Sequence, residues 1–105
     1  MKNSMLVFAP LCLLSAAAVC AAGPSVERGK VLFGSAALGT SGKSCESCHP
    51  GGARLTEAAE YSPAELKKII NTCISKPLKG NKLAEDSDDM ESLVLYIQSL
   101  KQAKK

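Results

Sequence analysis

The sequence is poor in aromatic side chains and lacks the charge pattern of a nucleic-acid-binding protein. Its 105 residues include no tryptophan, two phenylalanines and two tyrosines. The formal net charge is only +3, and the lysines are mixed with acidic residues rather than gathered in a basic arm. Nucleic-acid binding relies on a clustered positive surface, so we do not expect it here.

The first 22 residues carry an export pattern. Lys2 gives a positive start, and residues 6–22 are nearly all apolar and end in small side chains. This segment is too short and too poorly flanked for a stable membrane helix. We therefore predict a signal peptide over residues 1–22 and a mature domain over residues 23–105 without a membrane span.

Two cleavage sites fit the end of this segment. Small residues favour cleavage after Ala21 or Ala22. Lipoprotein processing before Cys20 is the alternative, but Val19 is a poor residue for the position before such a cut.

The mature domain is small and has no disulfide framework. Removal of residues 1–22 leaves 83 of the 105 residues, with three cysteines at Cys45, Cys48 and Cys73. An odd number of cysteines does not pair fully. A domain of this length is only marginally stable by itself. We therefore expect the fold to be built around a bound group.

Three helices and no strand are predicted. Ser25 caps a first helix over about Val26 to Ala36, and Gly29 allows another helix to approach closely. Ser62 to Glu65 forms a capping box that starts a second helix, which ends near Ser75. A third begins at Ser87. The predicted apolar faces are Leu66, Ile69, Ile70 and Cys73 in the second helix, and Met90, Leu93, Val94, Ile97 and Leu100 in the third.

Cys45-Glu46-Ser47-Cys48-His49 is a C-x-x-C-H motif, the attachment signature of c-type haem. Two thiols three positions apart can reach both vinyl groups of one porphyrin. The next residue, His49, then places its imidazole beside the iron. In bacteria this attachment takes place outside the cytoplasm, which agrees with the export pattern and predicts a periplasmic protein.

Two other chemistries use a C-x-x-C pair. A thioredoxin-type redox disulfide comes with a strand-helix unit, which is missing from this sequence. A tetrahedral zinc site would need Cys45, Cys48, His49 and one further ligand, for which Cys73 is available. Both alternatives stay open at this point.

The mature sequence resembles the class I c-type cytochromes over essentially its whole length. The stretch Gly29 to Phe33 is similar to the family's GKxLF segment, residues 45–52 (CESCHPGG) to its attachment site, and Leu93 to Ile97 to its LxxYI helix. In that family the first and last helices cross at a glycine and an aromatic residue, which Gly29 and Tyr96 match. The resemblance implies an all-α cytochrome c fold of three to four helices around one covalent haem.

The sixth iron ligand is not fixed by this resemblance. The family usually places a methionine before a proline in the loop that precedes the last helix. This sequence has Lys76 before Pro77, and Met90 lies within the predicted last helix. Met90, Lys76 and a water-bound or open site are therefore alternatives. Bis-histidine ligation within one chain is excluded, because His49 is the only histidine.

Cys73 is a further candidate ligand. The stretch Ile70 to Cys73, with residues 77–80 and 87–96, is similar to haem domains of thiosulfate dehydrogenase-like proteins, in which an INxC cysteine ligates the haem. This likeness implies Cys73 as the distal ligand, although only a short segment separates it from His49. A buried, inert thiol is the alternative.

The predicted function is periplasmic electron transfer between redox partner proteins. Four loop lysines, Lys43, Lys76, Lys79 and Lys82, either surround the haem edge and attract an acidic partner or are ordinary solvated charges. The alternative functions are a haem subunit or small oxidoreductase that acts on sulfur compounds through Cys73, and a gas-binding haem sensor. No other catalytic constellation is present in the sequence.

Overall fold

The described part of the chain, residues 23–103 of a computed structural model, is helical. The predicted signal peptide, residues 1–22, lies outside it. The α-helices are α1 (Val26–Phe33), α2 (Cys45–Cys48), α3 (Pro63–Ser75) and α4 (Asp88–Ala103). Short 3-10 turns cover Ala36–Leu38, Pro50–Gly52 and Ala58–Glu60. Residues 23–103 contain no strand, so the prediction of an all-α fold is confirmed for them. None of these helices is long and apolar enough to cross a membrane.

Helix α1 ends earlier than predicted. Gly34 occupies the C-terminal cap, and its N–H donates to the carbonyl oxygen of Lys30 at 3.2 Å. Ser35 then adopts an extended backbone and starts a separate 3-10 turn, since its hydroxyl accepts from the Ala37 N–H at 3.0 Å. The predicted boundary at Ala36 is therefore wrong, because Ser35 competes for the backbone as a cap.

The starts of α3 and α4 are confirmed. The Ser62 hydroxyl accepts from the Glu65 N–H at 3.2 Å, and the Glu65 carboxylate accepts from the Ser62 N–H, which completes the capping box. At α4, the Ser87 hydroxyl accepts from the Met90 N–H at 3.1 Å. Each cap satisfies backbone donors that the helix itself leaves unpaired.

Helices α1 and α4 cross in close contact at Gly29. A Cβ atom at Gly29 would lie 2.7 Å from the Tyr96 Cβ and closer still to the Ser92 carbonyl oxygen, so only glycine fits. The Ser92 hydroxyl accepts from the Ser25 N–H at 3.1 Å. Phe33 and Tyr96 pack with ring centroids 5.1 Å apart. The contact between Gly29 and Tyr96 implied by the resemblance is present.

The core is formed mainly by α3 and α4. Its buried hydrophobic members are Phe33, Cys45, Leu66, Ile70, Ile74, Leu78, Met90, Leu93, Val94, Tyr96 and Ile97. The buried face of α3 differs from the predicted one, because Ile74 is buried whereas Ile69 is 45 % exposed and Cys73 is half-buried. Ile69 and Cys73 therefore lie at the edge of the core.

The loop after α3 is fixed against the loop after α1. The carbonyl oxygen of Leu78 accepts from the N–H groups of Thr40 and Ser41, at 2.9 and 3.0 Å. At Gly39 a Cβ atom would lie 2.6 Å from the Leu78 carbonyl carbon, so a side chain there would separate the two loops. This contact fixes the chain just beyond the C-terminal end of α3.

Candidate haem-attachment site

The C-x-x-C-H motif lies on the single-turn helix α2. Its first turn is closed by a capping box, in which the Ser47 hydroxyl accepts from the Ser44 N–H at 2.9 Å and the Ser44 hydroxyl accepts from the Ser47 N–H at 3.3 Å. Cys45 is buried and Cys48 is exposed. The two thiols of the motif therefore lie in different surroundings.

The His49 ring is oriented by the backbone that follows it. Its Nδ1 lies 2.9 Å from the carbonyl oxygen of Ala53. A carbonyl can only accept, so Nδ1 donates its proton to it, and in the neutral ring the lone pair is then on Nε2. Metal-binding histidines are held in this way, with one ring nitrogen donating to a carbonyl and the other free to ligate.

A tight chain reversal brings Ala53 back to the ring. Gly51 and Gly52 have φ angles of 62° and 83°, in the left-handed region that favours glycine. The Gly51 N–H donates to a Glu46 carboxylate oxygen at 2.7 Å, and Arg54 donates to the Cys48 carbonyl oxygen at 2.8 Å. The motif is thus held by contacts within residues 44–54.

An apolar cavity lies between α2, α3 and α4, and it has a volume of about 60 Å³. Cys45 and His49 of the motif and Cys73 of α3 share its wall with hydrophobic side chains. The lining residues are Phe33, Cys45, His49, Leu55, Ile69, Ile70, Cys73, Leu93 and Ile97. The cavity therefore brings three of the predicted site residues to one place.

An open groove of about 400 Å³ adjoins the cavity and shares Ile69 and Cys73 with it. Lys68, Thr72, Lys76 and Pro77 complete the groove. The cavity alone is smaller than typical cofactor pockets of about 300–1,000 Å³, and the open groove continues its apolar wall at Ile69 and Cys73. Cys45 and His49 on the cavity wall, with Cys48 exposed on the same helix as Cys45, are the residues that would hold a covalently attached haem.

Cys45 and Cys73 line the same cavity, and each thiol shifts the pKa of the other. Donation from the Cys45 thiol lowers the pKa of Cys73 to about 7, although burial acts in the opposite direction. The same hydrogen bond, together with burial, raises the pKa of Cys45. Cys73 is consequently the thiol of this pair that ionises first, and a thiolate is both a nucleophile and a metal ligand.

The other candidate ligands lie elsewhere. Met90 is fully buried in the core and does not line the cavity. Lys76 lies on the rim of the open groove. Of the four loop lysines only Lys76 contacts this region, and Lys43, Lys79 and Lys82 are exposed.

The donor set of the alternative zinc site is not gathered in the structure. Among residues 23–103, no three side chains of the His, Cys, Asp or Glu type are arranged to hold a metal ion. Cys45 and Cys73 meet in the cavity, whereas Cys48 is exposed and does not line it.

Asn71 is a positioning residue that the sequence reasoning missed. Its buried amide donates to the Leu83 carbonyl oxygen at 2.9 Å and accepts from the Leu83 N–H at 2.8 Å. Asn71 therefore fixes the loop between α3 and α4 to α3, at a position two residues from Cys73. The sequence does carry a signal for this role. Asn71 lies between Ile70 and Ile74 on the apolar side of α3, and a buried amide at that place requires hydrogen-bond partners.

Comparisons with known proteins add no assignment: no family model, no curated protein and no solved structure matches this chain. The C-x-x-C-H motif and the geometry around it are therefore the features that point to a function.

Proposed function

We propose that this protein is a single-haem, c-type cytochrome of the periplasm that transfers electrons between redox partner proteins. One observation carries the proposal: Cys45 and His49 of the C-x-x-C-H motif line the same apolar cavity. Covalent attachment suits a small domain in which a loosely held group would be lost. The helical fold of the described residues is compatible with a cytochrome c fold.

Each residue of the motif would have a separate task. Cys45 and Cys48 would hold the haem through thioether bonds, and His49 would ligate iron through Nε2. The Ala53 carbonyl keeps the proton on Nδ1 and so preserves the ligating lone pair. Leu93 and Ile97 exclude water from the inner side of the cavity. When bound, haem supplies one-electron oxidation and reduction at its iron.

Haem staining of a denaturing gel tests this proposal. The full chain is expressed with the bacterial haem-attachment machinery, and we expect a stained band that survives denaturation. Cys45→Ala combined with Cys48→Ala should abolish the stain, because no thioether can then form. Cys73→Ala is the matched control, and it should keep the stain. Stain that persists in the double variant, or is absent from the unaltered chain, overturns the proposal.

The placement of Cys73 favours a second candidate function, the oxidation or reduction of sulfur compounds at the haem. Cys73 lines both the cavity and the open groove, and its pKa is lowered to about 7. A thiolate at this place could ligate the iron and meet a small substrate that enters through the groove. Electron transfer remains the first proposal, because it requires only a bound haem, whereas the sulfur chemistry also requires a substrate in the groove.

Optical spectra distinguish these two functions. If Cys73 ligates the iron, Cys73→Ala will change the spectrum of the oxidised protein, and sulfur-compound turnover will disappear with it. If the protein is an electron carrier only, thiosulfate will not reduce the unaltered protein, whereas a small inorganic reductant will. The Cys73→Ser variant keeps the size of the side chain and separates the loss of sulfur from the loss of packing.

A further inference from the structure

Four exposed lysines lie on the loop after α1 and the loop after α3. They are Lys43, Lys76, Lys79 and Lys82. The chain has ten acidic residues, and none of them falls within residues 34–45 or residues 74–84. In the part of the chain that the structure describes, no ion pair involves any of these four lysines. Their positive charge is therefore available to another molecule.

Hydrogen bonds join these two loops into one unit. The Lys79 carbonyl oxygen accepts from the Thr40 N–H at 3.2 Å and from the Thr40 hydroxyl at 2.9 Å. In the first loop, the Lys43 N–H donates to the Ser41 hydroxyl at 3.3 Å, and in the second, the Lys79 N–H donates to the Lys76 carbonyl oxygen at 3.3 Å. Lysines from two distant parts of the sequence are therefore carried on connected backbone.

Lys79 has a backbone conformation that is unusual for a lysine. Its φ angle is 56°, in the left-handed region that glycine and asparagine tolerate better than other residues. A side chain held in such a conformation costs free energy, and residues of this kind are concentrated at binding and catalytic sites. The strained backbone at Lys79 is a second observation, independent of the charge, that points to a use for this side chain.

We propose that the basic surface formed by Lys43, Lys76, Lys79 and Lys82 docks an acidic protein partner. The inference rests on the proposed function, since the partner would be a redox protein that exchanges electrons with the haem. Carboxylates of the partner complement the lysines and speed the encounter. The connected loops reduce the entropy that docking costs. Lys76 also lines the open groove beside Cys73, so a docked partner lies next to the candidate haem site.

Titration with poly-L-glutamate, an acidic polypeptide, tests the surface. The full chain is produced with the haem-attachment machinery, calorimetry at low ionic strength measures the affinity, and amide NMR shifts locate the contact. We expect the largest shifts within residues 39–43 and 76–82, and loss of binding when salt is added. Lys43→Gln combined with Lys79→Asn should weaken binding about fivefold, because two exposed charge pairs are lost. Asparagine suits the left-handed backbone at position 79, so the fold should be kept.

Lys30→Gln combined with Lys101→Gln is the matched control. It removes the same net charge from helices α1 and α4, outside the two loops, and should bind poly-L-glutamate as the unaltered chain does. Equal weakening in both double variants, or the largest shifts outside the two loops, overturns the inference. Vesicles of phosphatidylglycerol that bind through these lysines while poly-L-glutamate does not would make the surface a lipid site and would also overturn it.

The binding result is independent of the haem stain. Covalent haem in a protein whose two double variants bind poly-L-glutamate equally well would refute the docking surface and leave the proposed function standing. Selective binding at the two loops in a chain without covalent haem would refute the proposed function and leave an acidic polypeptide as the ligand of this surface.

Discussion

The two sides of α4 are built in different ways. Towards α1, the helices meet backbone to backbone at Gly29, and Arg28 donates twice to a single Asp89 carboxylate oxygen, at 3.0 and 2.8 Å. Towards α2 and α3, the side chains leave a cavity that continues into an open groove, with Ile69 partly exposed. The first region leaves no room for another methyl group. The second offers apolar surface for a bound group.

This difference separates scaffold from site. The crossing of α1 and α4 is closed by protein atoms alone, so we expect it to decide whether the domain folds. The cavity region carries Cys45, His49 and Cys73 and decides what the domain holds. A substitution at the crossing should therefore change stability alone, whereas one at a core residue of the cavity wall should change both stability and binding.

Leu93→Ala is expected to have the largest effect on stability. Leu93 is 1 % exposed, belongs to the core and lines the cavity. Its truncation should lower the free energy of unfolding by about 2–5 kcal/mol, because buried contacts are lost and the cavity grows. Denaturant unfolding measures the change.

The matched control is Leu95→Ala on the same helix. Leu95 is 38 % exposed, so its truncation should alter stability by about 0.5 kcal/mol or less. Equal losses in both variants would show that the cavity side of α4 is not part of the core.

Gly29→Ala tests the crossing itself. The added methyl group would press against the Ser92 backbone and the Tyr96 side chain, so we expect a loss of about 1–3 kcal/mol in the free energy of unfolding. The covalent haem stain of the surviving folded protein should not change, because Gly29 does not line the cavity.

Gly34→Ala provides the comparison within one helix. The nearest atom to a Cβ at Gly34 is the Lys30 carbonyl oxygen at 3.8 Å, an ordinary contact, and φ there is −91°. We expect little change in stability. A Gly29→Ala protein as stable as Gly34→Ala would contradict the close packing of α1 on α4.

Met90→Leu is expected to change stability less than Leu93→Ala or Gly29→Ala. Met90 is fully buried and away from the cavity wall, and a swap of similar volume typically costs less than about 1.5 kcal/mol. If Met90 acts only in the core, the absorption spectrum of the oxidised protein will stay as it is. A spectral change in Met90→Leu but not in Cys73→Ala would make Met90 the sixth ligand.

The features that the sequence predicted correctly are mostly local. The cap of α3 depends on Ser62 and Glu65, which are close in the chain, and its position is confirmed. The boundary of α1 was missed because Ser35 can cap a new turn as well as extend a helix. The outcome depends on a small difference in free energy between continuing the helix through Ser35 and starting a new turn there.

The cavity could be predicted only in part. The motif from Cys45 to His49 identified one wall, and the helical period placed Cys73 near an apolar face. The placement of Cys45 and Cys73 on one cavity wall, and the two hydrogen bonds between Asn71 and Leu83, depend on how α3 packs against α2 and the loop. Contacts between residues that are far apart in the chain produce no periodic pattern in a single sequence.

The intact mass of the exported protein tests the central claim most directly. The full chain is produced with the haem-attachment machinery, purified from the periplasm, and measured by mass spectrometry under denaturing conditions. We predict the mass of a chain that begins at residue 22 or 23 with one haem added. A polypeptide mass without added haem would contradict the assignment of Cys45, Cys48 and His49 as a haem-attachment site.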